Sequence, residues 1–258
     1  MQNIPLVNLG RTGLKISKIG FGTFDFGVPS LNIGIEEGAR ILVEVFKLGI
    51  NFWDTSDDYG SHPHIASALK QIPRREVVIC TKTYAKSGKE AQKSLKNSLK
   101  ELQTDYMDIF LLHYVKSDWI DGCHQTLREM EELKTSEVVR AVGISTHSVK
   151  VAEEAANFED LDVLLAVCTK ISQATIDKFP RYIPLEDGTM DEMFKALKMA
   201  HRNGKGTIAM KVLGNGLPSL VRNPEKVIKA VASLGFVDAM VIGMKNLDEV
   251  GKNLKAFT

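Results

Sequence analysis

Asp54, Tyr59, Lys82 and His113 are ionisable residues whose spacing fits one reaction centre. Asp54 and Tyr59 belong to Asn51-Phe52-Trp53-Asp54-Thr55-Ser56-Asp57-Asp58-Tyr59-Gly60. Lys82 closes Val78-Ile79-Cys80-Thr81-Lys82, and His113 closes Ile109-Phe110-Leu111-Leu112-His113. Each lies at the end of an apolar run of strand length. Tyrosine is a weak acid with a free pKa of about 10. A nearby ammonium favours its phenolate, and a carboxylate keeps that ammonium charged. A histidine can donate a hydrogen bond to a carbonyl oxygen. Together these groups suit reduction of a carbonyl, in which hydride reaches carbon and a proton follows to oxygen. Tyr59 would be the general acid, Lys82 the cation that lowers its pKa, Asp54 the partner of Lys82, and His113 the orienting donor. Taken singly, each residue also has a structural reading: a cap, a loop anchor, a snorkelling lysine or a core histidine.

Alternating elements would position them. Apolar runs flank Gly10-Arg11-Thr12-Gly13 and predict an N-terminal β-hairpin. Strands are then expected at 18–23, 51–55, 77–82, 107–113, 139–145, 162–168, 206–213 and 239–244. Segment 162–168 also fits a buried helical turn by pattern alone. Helical spacing predicts helices over 35–48, 88–102, 120–134, 148–157, 190–203, 223–233 and 246–256. Eight strands alternating with helical stretches predict an α/β (β/α)8 TIM barrel formed by residues 1–258 as one domain. An open doubly wound sheet is disfavoured, because no GxGxxG follows the first strand. His62-Pro63-His64 beside Asp57 and Asp58 is an incomplete ligand set. It reads as a solvated loop, and no metal is expected.

Bulk composition narrows the partners. The 33 basic and 32 acidic residues among 258 are well mixed, for a net charge of +1, so no nucleic acid is expected. No apolar run reaches bilayer-spanning length, so no membrane is expected. The N-terminus lacks signal-peptide patterning. Cys80, Cys123 and Cys168 have no metal-binding spacing. A cytoplasmic protein acting on a small-molecule carbonyl substrate is the resulting expectation.

Asp54-Thr55-Ser56-Asp57-Asp58-Tyr59-Gly60 resembles the "DTAxxYG" signature of the aldo-keto reductases. Lys82 and His113 match that family's next catalytic positions by strand and order. The resemblance extends through 10–13, 19–23, 139–145, 207–211 and 241–246 with Asn253. It implies an extended nicotinamide cofactor held without a Gly-rich Rossmann loop. Gly22, Thr23 and Asp54 would lie near the nicotinamide, with Ser145 and Thr146 beside its carboxamide. Leu213, Gly214, Asn215 and Gly216 would form the loop near the pyrophosphate, with Lys211 a further cofactor contact. Gly243, Met244, Lys245, Asn246, Glu249 and Asn253 would hold the adenosine end. Phe24 and Tyr114 are the implied substrate contacts, with Phe26 and Trp53 as further candidates for an apolar wall.

This chain departs from the family pattern in several places. Thr146 replaces a common asparagine. Around Ala166-Val167-Cys168-Thr169 there is neither the usual carboxamide-binding amide nor a stacking aromatic, and Tyr182 lies well downstream. Glu249 replaces an arginine common in NADP-using members, so NADP is the family expectation and NAD its competitor. The sequence ends soon after Asn253, where many relatives continue into a loop, so an open pocket or one completed by another subunit is expected. Enzymatic reduction of an aldehyde or ketone is the leading reading. The alternative is a non-catalytic or weakly catalytic nicotinamide-sensing regulatory protein on the same fold.

Overall fold

The structure, a computed structural model, describes residues 4–28, 30–178, 181–182 and 185–257. Eight short apolar segments form its strands: β3 (Ile19–Gly22), β4 (Phe52–Asp54), β5 (Val78–Thr83), β6 (Met107–Val115), β7 (Val139–Thr146), β8 (Val163–Val167), β9 (Gly206–Met210) and β10 (Ala239–Gly243). They close into a barrel in sequence order, with β10 meeting β3. Every pairing is parallel. Parallel neighbours require crossovers, and helices supply them. These are α1 (Ile35–Lys47), α2 (His62–Leu69), α3 (Gly88–Leu102), α4 (Ile120–Thr135), α5 (Val149–Ala155), α7 (Met190–Arg202) and α9 (Pro224–Ala232), with α10 (Leu247–Leu254) following β10. Two short helices, α6 (Gln173–Lys178) and α8 (Pro218–Val221), lie within the last two crossovers. The architecture is the (β/α)8 barrel expected.

The two-residue period of a strand divides its side chains between two cores. Phe21, Trp53, Ile79, Phe110, Val142, Leu164 and Met240 belong to the layer shared with the helices. Phe52, Val78, Cys80, Ile109, Leu111, Ala141, Val163, Leu165, Ile208 and Val241 fill the barrel. Two residues beyond this inner set lie Asp54, Lys82 and His113, and Ser145 is four beyond Ala141. The pleat therefore brings all four to the interior side at one end.

The other end is plugged. Strands β1 (Leu6–Asn8) and β2 (Lys15–Ser17) pair as an antiparallel hairpin. Its Leu9, Leu14 and Ile16 join the inner core. Gly10 has φ of +48°, and a Cβ there would lie 2.3 Å from the amide nitrogen of Gly206. The hairpin tip thus approaches the strand backbone as only glycine allows.

One expectation is overturned outright. His62-Pro63-His64 is not a solvated loop; it opens α2, with both imidazoles buried. Proline fits a first helical turn because its missing N–H has no acceptor to serve there. Within segment 162–168, Val163–Val167 forms a strand and not a helical turn. Strand β6 runs past His113 to Val115 through an irregularity in its pairing with β7, whereas β9 ends at Met210.

Candidate active site

Lys82 is almost fully buried, and its ammonium meets Asp54 Oδ1 at 2.8 Å. That contact is an ion pair; the directed hydrogen bond from Nζ goes to the carbonyl of Thr55, at 2.7 Å. Nζ also lies 5.0 Å from the centroid of the Tyr59 ring. Tyr59 packs edge-on against His113, with ring centroids 5.8 Å apart. The four expected catalytic residues therefore form one cluster. Their positions follow from three neighbouring strand ends and from the β4–α2 loop, whose Tyr59 N–H bonds to Ser56 O at 3.2 Å.

Electrostatics correct one expectation. Tyr59 is not an acid of lowered pKa: burial pushes its phenol up to about 12, outweighing the downward pull of Lys82. Desolvation of the phenolate is the larger effect because the ring is enclosed. Burial works against the Lys82 charge, yet Asp54, and then Tyr59, hold its pKa above the ordinary lysine value. His113 is pushed down to about 2, by burial first and then by Lys82. It is neutral at physiological pH and can hydrogen-bond without carrying charge.

Sequence reasoning missed three residues of this cluster. Ser56 Oγ lies 3.0 Å from His113 Nδ1. Tyr84 stacks on His113, with centroids 4.6 Å apart and planes at 35°. His147 meets Tyr114 edge-on at 4.7 Å. Burial, then Lys211, drives His147 down to about 3, and its buried Nδ1 has no hydrogen-bond partner. A signal existed: Tyr84 is two residues after Lys82, and His147 two after Ser145, as the strand period requires.

The expected cofactor contacts are distributed around the same rim. Gly22 and Gly243 abut, since a Cβ on Gly22 would lie 3.2 Å from the Gly243 nitrogen. Thr23 turns inward to Asp54 O and Ser61 Oγ, at 3.0 and 2.8 Å. Ser145 Oγ accepts from Tyr114 N at 2.9 Å, and Thr146 Oγ1 donates to Val115 O at 2.8 Å. Lys211 has φ of +59° at the end of β9 and, among the described residues, no carboxylate partner or side-chain hydrogen bond. Leu213 and Gly214 begin the next turn. Met244 and Asn253 are buried. Asn246 caps α10 by accepting from Glu249 N at 3.0 Å, while the Glu249 carboxylate accepts from Lys245 N at 2.9 Å.

Substrate candidates divide. Phe24 is 44% exposed and touches the Tyr59 ring edge at 5.0 Å. Tyr114 sits at the β6 irregularity with φ of +54°. Glu186 beside it, more than its burial, pushes its hydroxyl up to about 12. Phe26 and Trp53 cannot form a pocket wall, because both are fully buried. Tyr182 accepts a hydrogen bond from Arg181 at 2.7 Å. At the end of β8, Thr169 is buried and its hydroxyl is spent on Val212 O at 2.8 Å.

His62 hydrogen-bonds Glu101 and Thr81, at 2.7 and 3.1 Å, and His64 pairs with Ile33 O at 2.8 Å. Among the described residues no group of three His, Cys, Asp or Glu could hold a metal, and no helix is long and apolar enough to cross a membrane. Outer grooves of about 800 and 480 Å³ lie around Arg74–Tyr106 and between α1, α2 and α3. Neither contains a residue of the ionisable cluster, so the rim remains the candidate site.

The polar groups are gathered at the C-terminal rim, the place where barrels of this type build their active sites. Residues 18–229 match the Aldo/keto reductase family. The chain belongs to that family and is an oxidoreductase. It is 30% identical to the L-galactose dehydrogenase of Arabidopsis thaliana over 239 residues, covering 87% of this chain and 70% of that protein. It is 25% identical to the NADH-specific methylglyoxal reductase of Escherichia coli, covering 79% and 70% of the two chains. Several other curated relatives are matched over only 46–50% of their length. The holo form of an aldo-keto reductase from Bacillus halodurans shares the fold, with a TM-score of 0.78, 22% identity and coverage of 98% and 91%.

Proposed function

We propose that this protein reduces a small aldehyde or ketone to the alcohol with a nicotinamide cofactor, and that Tyr59 delivers the proton. The observation carrying this reading is the buried Lys82 ammonium, set between the Asp54 carboxylate and the Tyr59 ring. When bound, the nicotinamide supplies the hydride. His113 donates to the carbonyl oxygen and orients it. Tyr59 stays protonated up to about 12 and is therefore loaded as an acid across the working range. An alkoxide is more basic than a phenolate, so the raised pKa does not prevent transfer. Lys82 stabilises the phenolate left behind, and Asp54 fixes Lys82.

The rim fits an extended anionic dinucleotide. Gly243 is exposed, a Cβ on Gly216 would meet nothing within 4 Å, and the Lys211 ammonium is available. Gly22, Thr23, Asp54, Ser145 and Thr146 would shape the nicotinamide end. Lys211, Leu213 and Gly214 would serve the pyrophosphate, and Gly243 to Asn246 with Asn253 the adenosine end. At that last end, Glu249 already places a carboxylate on the Lys245 amide. A 2′-phosphate brought there would meet like charge and find this donor taken. NAD is accordingly the proposed cofactor in preference to NADP.

Tyr84 beside His113, and His147 with Tyr114, offer hydrogen-bonding groups, and half-exposed Phe24 offers an apolar face beside Tyr59; that mixture suits a small polar carbonyl compound. Two relatives bear names specifying L-galactose and methylglyoxal. The test is NADH and NADPH titration by fluorescence, followed by an aldehyde panel with native protein and Tyr59→Phe. NADH-dependent turnover lost in Tyr59→Phe is expected; turnover unchanged in that variant would refute the acid assignment. The lack of an amide at 166–169 favours a second reading, a nicotinamide-sensing binding protein, which nucleotide binding without turnover would support.

A further inference from the structure

We infer that Ser56 is a positioning residue: its hydroxyl donates to Nδ1 of His113 and so keeps the ring proton on Nε2, the nitrogen left for substrate. Ser56 stands where the resembled signature has alanine, whose side chain has no hydroxyl to make this contact. The inference rests on the role proposed for His113 toward a carbonyl.

Proton accounting around the ring supports it. The Ser56 hydroxyl has one proton and two acceptors in reach, Nδ1 at 3.0 Å and Lys82 O at 3.3 Å. Lys82 O already accepts from the Asp57 amide at 3.1 Å, so turning the hydroxyl away does not orphan it. The other group facing Nδ1 is Asp58, whose carboxylate is 3.6 Å away and 45% exposed. That distance is too long for a hydrogen bond, and Asp58 is also engaged by Tyr84. In the opposite arrangement, Nδ1–H would donate to Ser56 while the hydroxyl turned to Lys82 O. That arrangement uses the longer contact and presents a bare Nε2 lone pair to an incoming carbonyl oxygen, which repels it. A buried Nδ1 lone pair without a donor is costly. Ser56 removes that cost and so makes the productive tautomer the resting one. The neutral state of the ring, imposed by burial and Lys82, makes the choice of tautomer matter.

The test is ring ¹⁵N NMR of protein carrying labelled histidine, at a pH where imidazoles are neutral, with His113 assigned through His113→Gln. Wild type is expected to show protonated Nε2 and unprotonated Nδ1. Ser56→Ala is expected to lose that preference and to raise the KM for aldehyde on the order of tenfold, with a smaller change in kcat. Ser56→Thr, which keeps the hydroxyl, should retain the wild-type tautomer. Protonated Nδ1 in wild type, or an unchanged tautomer and KM in Ser56→Ala, would overturn the inference. Absence of carbonyl turnover in wild type would instead sink the proposed function, while the ¹⁵N spectrum would still report the tautomer.

Discussion

Lys82 and Asp54 meet at 2.8 Å with side chains only 2% and 10% exposed, so each is the other's main compensation for leaving water. Removing one partner strands a charge. Lys82→Met is expected to lower turnover by roughly 10²–10⁴ and to destabilise the fold by about 3–5 kcal/mol. Adding Asp54→Leu should recover stability, measured by denaturant unfolding, without recovering turnover. Recovery of turnover in the double variant would contradict an electrostatic role for Lys82.

The Tyr59 phenol, at about 12 in the fold, lies above its unfolded value of about 10. Its contribution to stability is therefore full below pH ~10 and disappears as pH rises toward 12. Unfolding measured from pH 8 to 12 should show this loss in wild type and a shallower one in Tyr59→Phe. The pH profile of reduction should show no fall from Tyr59 ionisation between pH 6 and 9, since the acid form persists.

His113 and His147 shift the other way, to about 2 and about 3. Unfolded histidine titrates near 6.5, so their stabilisation is full above that pH and is lost as the solution becomes more acidic. Each should steepen acid destabilisation by ~1.4 kcal/mol per pH unit below the unfolded value. His147→Phe should reduce the slope by one proton's worth. An unchanged slope would mean that this ring is not held neutral.

Glu249→Arg should raise NADPH affinity on the order of tenfold or more relative to NADH, by removing a carboxylate and supplying a bidentate partner for a 2′-phosphate. Fluorescence titration of both nucleotides with both proteins gives the ratio. A ratio that does not move would place the 2′-position away from α10.

Gly27 lies so close to the loop before α2 that a Cβ would fall 1.5 Å from the carbonyl oxygen of Tyr59. Gly27→Ala must push that loop and its phenol away. A loss of up to ~10²-fold in kcat is expected from displacement of about 1 Å, with a lower Tm. Full activity in a folded Gly27→Ala protein would show that the loop position is not critical.

Much of this was legible in the sequence because strand period and strand order are local properties. Asp54, Lys82 and His113 announce themselves at the ends of apolar runs. Helix α2 was less legible, because His62-Pro63-His64 looks polar and its burial comes from contacts with Glu101, Thr81 and Ile33 on other elements. The direction of the Tyr59 shift could not be read from residue types. They suggest an ammonium beside a phenol, whereas the outcome depends on how much water the fold removes. Ser56 was invisible for a related reason: its partner, His113, is 57 residues away.

The hairpin at the foot of the barrel makes the molecule one-sided. With Leu9, Leu14 and Ile16 wedged into that end and strand side chains filling the interior, the foot communicates with the polar cluster only through the strands themselves. Damage there registers first as lost stability and only afterwards as lost chemistry.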